Sequence, residues 1–82
     1  MILVDIVVPS VDKIYDFMLD ETVPIFIVID EIVDMVCRKE QCSISGDKEK
    51  LMLCSLEGQT ILDKKRTLKE YGIINGKRLI LV

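Results

Sequence analysis

The sequence predicts an α+β fold in which one helix lies across a mixed sheet of four to five strands. Three observations predict it. Both ends of the 82-residue chain are aliphatic, strand-type runs. Only one long segment, between Asp20 and Gln41, changes to helical period. A chain of this length is one domain, here residues 1–82, and must pool most of its aliphatic residues into one core.

The first run, Met1 to Val8, is broken only by Asp5 and reads as a strand. If Asp5 faces solvent, alternation sends Val4 and Ile6 into the core. "PSVDK" supplies turn residues. "IYDFMLD" then alternates, with Tyr15, Phe17 and Leu19 on one face and Asp16, Met18 and Asp20 on the other. The two runs form a hairpin.

The helical segment is "DETVPIFIVIDEIVDMVCRKEQ". Thr22 is placed to cap it, Pro24 suits its first turn, and Arg38 and Lys39 suit its last. At 100° per residue, Ile25, Val28, Ile29, Ile32, Val33 and Val36 share one face, opposite Asp30, Glu31, Asp34 and Arg38. Phe26 and Ile27 break this pattern, falling at the edge and in the middle of the charged face. Cover by a neighbouring loop is the favoured account, since two residues fall short of a patch. The competing account is a small partner-binding surface.

"CSISGDKEK" reads as a loop, "LMLCSL" as a strand, "EGQ" as a turn and "TIL" as a short strand. "TLKEYG" reads as a helical turn. "IING" is a corner whose Gly76 takes positive φ, and "KRLILV" is the last strand. The order is ββαββ, a short helical turn, then β. Pairing the first strand with the last in the sheet centre gives a β-grasp arrangement.

Composition narrows the function. Acids outnumber bases, 14 to 11, and the basic residues are scattered, which disfavours nucleic-acid binding. The longest apolar run, "VPIFIVI", is far short of the roughly 20 residues that span a bilayer. The N-terminus lacks the pattern of a signal peptide, so a cytoplasmic protein without membrane insertion is expected. Cys37, Cys42 and Cys54 match no zinc spacing, and the chain has no His. Reduced thiols, no metal, no cofactor and no catalytic activity are the expectation. Carboxylates of the helix read as solvated charge.

The closing stretch "TLKEYGIINGKRLILV" resembles the signature of ubiquitin-like proteins. Thr67, Leu68, Tyr71, Ile73, Leu79 and Leu81 fill it without a gap. The resemblance implies a buried Leu68, Ile73 and Leu79-x-Leu81, with the Tyr71 ring under the preceding loop. A narrower resemblance is to the YukD-like proteins of type VII secretion systems. It rests on Asp16–Leu19, Pro24, Val28–Asp30 and "Gly-Ile-x-Asn-Gly-x-x-Leu" at Gly72–Leu79. Phe26, Ile27 and the cysteines depart from that pattern.

The resemblance implies an accessory protein that acts by protein–protein contact, with a membrane component or a substrate of the secretion machine as partner. Modifiers and sulfur carriers work through a Gly-Gly tail, and the sequence stops at Val82 without one, which disfavours that alternative. Weak self-association as a scaffold is the other alternative. Carried over by position, the outward residues of the third and fifth strands are Leu56, Ile80 and Val82, joined by Met52 and Cys54. Whatever the register, Leu79 and Leu81 cannot share a face with Ile80 and Val82, so an apolar outer strip must exist.

Overall fold

The computed structural model describes residues 1–41 and 48–82. Five strands form one sheet: β1 (Ile2–Val8), β2 (Lys13–Leu19), β3 (Leu53–Ser55), β4 (Thr60–Ile61) and β5 (Arg78–Leu81). The helix α1 (Ile25–Glu40) follows β2. The spatial order is β2-β1-β5-β3-β4. β1 and β5 pair in parallel at the centre, and all other pairs are antiparallel. This is the ubiquitin-like β-grasp that the element order predicts.

The helix packs against one sheet face through its six predicted apolar residues, all buried. They meet Val4, Ile6 and Val8 from β1, Phe17 and Leu19 from β2, Leu53 from β3, and Leu79 and Leu81 from β5. Leu62, Leu68 and Ile73 close the core from the connecting segments. Burying one such side chain is worth about 1.5–3 kcal/mol, so this layer is the main source of stability.

Several local details differ from the sequence reading. Thr22 does not cap α1; its N–H and hydroxyl instead bond Asp20 Oδ1, at 2.9 and 2.6 Å. Pro24 is the N-cap residue and offers no side-chain bond. The first amides of α1 find carbonyls elsewhere: Ile25 N–H donates to Arg66 O at 2.8 Å and Phe26 N–H to Lys64 O at 3.1 Å. The connection 63–67 therefore caps the helix across space. At the other end, Gln41 takes the left-handed conformation and its N–H donates to Cys37 O.

The first connection is a single 3-10 turn, Pro9–Val11, closed by left-handed Asp12. "TLKEYG" forms consecutive i→i+3 hydrogen-bonded turns, with Tyr71 N–H donating to Leu68 O at 3.1 Å and Gly72 N–H to Lys69 O at 3.0 Å. Tyr71 OH accepts from Asp63 N–H at 2.9 Å, which places this side chain at the preceding loop as the resemblance implies. Strand β3 is shorter than "LMLCSL", spanning Leu53–Ser55, and β5 spans Arg78–Leu81. Lys48–Lys50 form a short 3-10 turn where a loop is expected. Cys42 and the rest of 42–47 lie outside the described residues.

Candidate functional site

The sheet face turned away from α1 is built in transverse rows, because residues that pair across strands share a face. One row crosses all five strands. Ile14 of β2 pairs with Val7 of β1, Val7 with Ile80 of β5, Ile80 with Cys54 of β3, and Cys54 with Ile61 of β4. The two ends, Ile14 and Ile61, are 55% and 61% exposed, and the three central residues are half-buried.

Two further rows flank it. On one side, Val82 and Met52 exchange backbone hydrogen bonds at 2.9 and 2.7 Å, and both side chains are exposed. On the other side lies a charged row. Asp16 pairs with Asp5, and Asp5 with Arg78. The Arg78 guanidinium stands 3.5 Å from Asp5. Leu56 ends this row, its N–H donating to Arg78 O at 3.4 Å. Beyond it, Leu3 pairs with Met18, again exposed and apolar.

The electrostatics follow from these neighbours. A hydrogen bond and like-charge repulsion from Asp5 raise Asp16 above the usual carboxylate value. Glu57, beside the Leu56 end, is held low by Lys77 at 2.8 Å and by the Arg78 amide. The face thus carries an apolar band bordered by compact, mutually paired charge.

Of the residues expected from sequence, Met52, Cys54, Ile80 and Val82 come together in the apolar band, and Leu56 sits at its charged margin. Phe26 and Ile27 belong to a different surface. They lie on α1, 50% and 37% exposed, so among the described residues no loop covers them fully. Phe26 lines a shallow groove of about 360 Å³ with Ile29, Asp30, Glu49 and Lys64. The sequence reading did not include Val7, Ile14 and Ile61 in the site. For Val7 and Ile14 the signal was present as alternation: residues in step with Asp5 along β1, and with Asp16 along β2, point away from the core once those carboxylates face solvent.

Among the described residues no group of His, Cys, Asp and Glu is placed to hold a metal ion. Among them also, no helix is long and apolar enough to cross a membrane.

An α1 helix gripped by a mixed five-stranded sheet, with the parallel β1–β5 pair at its centre, makes this a ubiquitin-like domain. The chain belongs to the YukD family, described as a protein of the WXG100 secretion system (Wss), whose match spans residues 2–81. It is similar to the EccD5 ubiquitin-like domain from Mycobacterium xenopi, with 27% identity and a TM-score of 0.77, covering 99% of this chain and 91% of that one. The fold is also that of a ubiquitin-like domain from an Arabidopsis thaliana protein, at 23% identity and a TM-score of 0.72, covering 99% and 74%. A comparison with curated proteins yields no match.

Proposed function

We propose that this protein is a non-catalytic adaptor of a WXG100-type secretion system that docks a protein partner on the outer face of its sheet. The observation that carries the reading is the unbroken apolar row from Ile14 to Ile61. Exposed apolar area of this kind costs solubility unless something covers it, and a flat strip between charged margins suits a partner's helix or loop. Family membership supports a component or substrate of the secretion machine as that partner, met on the cytoplasmic side. The groove at Phe26 stands on the opposite layer and offers a second, separate contact.

The test is affinity capture of tagged chain from cells that carry the secretion system, compared with Ile80→Lys and Val82→Lys variants. Wild type is expected to retain a secretion protein that both variants lose while keeping native circular dichroism. Equal capture by folded variants would overturn the assignment of this face. Recovery of the chain as a covalent adduct through its C-terminal carboxylate would overturn the adaptor reading itself.

A further inference from the structure

The sheet has two edges, and they differ. Edge strand β4 is only Thr60–Ile61, whereas β2 runs seven residues, Lys13–Leu19. Which backbone groups β2 leaves free follows from β1. Asp5 N–H donates to Lys77 O at 3.0 Å, Leu3 O accepts from Gly76 N–H at 2.9 Å, and Leu3 N–H donates to Asn75 Oδ1 at 2.8 Å. The odd residues of β1 therefore spend their backbone groups toward β5. Backbone direction alternates along a strand, so the even residues of β1 bond to β2, through Leu19, Phe17, Tyr15 and Lys13. The amides and carbonyls of Ile14, Asp16 and Met18 must point out of the sheet. Among the described residues, none supplies them a partner.

Such a row is a template for another strand, and proteins usually blunt it with charge. Here the charge is Asp16, flanked by Ile14 and Met18, each 55% exposed. Its cross-strand neighbour is Asp5, whose carboxylate is already engaged by Arg78. Among the described residues no cation stands beside Asp16. The Asp16–Asp5–Arg78 row therefore carries one negative charge that no cation balances.

We propose that the outer edge of β2 receives an extended segment of a partner protein as a sixth strand, with Lys or Arg opposite Asp16 and apolar side chains opposite Ile14 and Met18. The backbone groups supply the docking and the carboxylate supplies the choice. A second copy of this chain is the wrong occupant. The antiparallel self-pairing that matches all seven residues is centred on Asp16 and sets it against its own copy, beside both Asp5 carboxylates. Like charges directly opposite are unfavourable in a ladder, so the residue that selects a cation also prevents self-pairing. The apolar residue opposite Ile14 would lengthen the five-strand row by one place. The edge site does not depend on what binds the face.

The test uses the full chain, ¹⁵N-labelled, at pH 7 with blocked peptides Thr-Val-Thr-Lys-Thr-Val-Thr and its Glu-for-Lys analogue. The amides of Ile14, Asp16 and Met18 are expected to shift and gain exchange protection, with the Lys peptide bound about fivefold more tightly. Asp16→Asn should collapse that ratio and Asp16→Lys should invert it, while Ile80→Lys leaves it unchanged and so separates this site from the face. Any of three results would overturn the proposal: equal affinity for both peptides, shifts confined to the outer face, or Ile14 and Met18 amides that move with protein concentration alone.

Discussion

The Tyr15 hydroxyl donates a 2.6 Å hydrogen bond to Glu40 Oε2, tying β2 to the last turn of α1. Lys13 Nζ reaches Oε1 of the same carboxylate at 2.8 Å, and Lys39 lies 5.4 Å over the Tyr15 ring. Lys13 first, then Tyr15, lowers Glu40 below its ordinary value of 4.5. The stability this carboxylate contributes is therefore complete above pH 4.5 and is lost as the pH falls through its lowered folded value. Urea midpoints measured between pH 3 and pH 7 should show a shallower acid loss in Glu40→Gln than in wild type.

Asp16 should behave in the opposite sense. Its folded value lies above the ordinary 3.8, so the native state holds the proton more tightly. Its contribution to stability is present below that ordinary value and lost as the pH rises through the raised one. Asp16→Asn is expected to raise the unfolding midpoint at pH 7, with the gain shrinking to nothing near pH 3. A constant gain at all pH values would mean that repulsion from Asp5 is not its source.

Gly76 tests backbone strain alone. Its φ is +85°, and a Cβ placed there would meet nothing within 4 Å. Its amide also donates to Leu3 O, fixing the entry to β5. Gly76→Ala should cost about 1–2 kcal/mol by thermal or urea unfolding, from the disfavoured left-handed conformation. Gly76→Asn should cost less, because Asn tolerates that region.

Leu79 is fully buried in the central strand, between β1 and β3. Leu79→Ala should cost about 2–5 kcal/mol. Domains of this size have about 5–15 kcal/mol in total, so chemical denaturation should find the variant marginal. Its neighbour Ile80→Ala, half-buried on the outer face, should cost clearly less.

The parts of this fold legible in sequence were those governed by local period. Ile25, Val28, Ile29, Ile32, Val33 and Val36 were placed by helical spacing; alternation separated Leu79 and Leu81 from Ile80 and Val82, and the resemblance chose which pair is buried. Register was not legible, because it is set by turn geometry: a 3-10 turn and left-handed Asp12 decide that Val7 meets Ile14. Without register, Val7, Ile14 and Ile61 could not be joined to Ile80 and Cys54. The cap of α1 was missed for a related reason. Thr22 looks right locally, but the carbonyls of Lys64 and Arg66 arrive from far along the chain and take the amides first. The partner roles of Leu56, Met52, Cys54, Phe26 and Ile27 rest on the experiments above.

The parallel pairing of Asp5, Ile6 and Val7 with Arg78, Leu79 and Ile80 joins the first strand of this sheet to its last in chain order. Until β5 leaves the exit tunnel, β1 and β3 have no strand between them, and the nascent chain holds a hairpin and a helix around an unfilled middle. Contacts of such long sequence separation slow folding. β5 must be made and released before the sheet can close, and any nascent chain that stalls before Arg78 will expose the apolar side of its helix to chaperones and proteases.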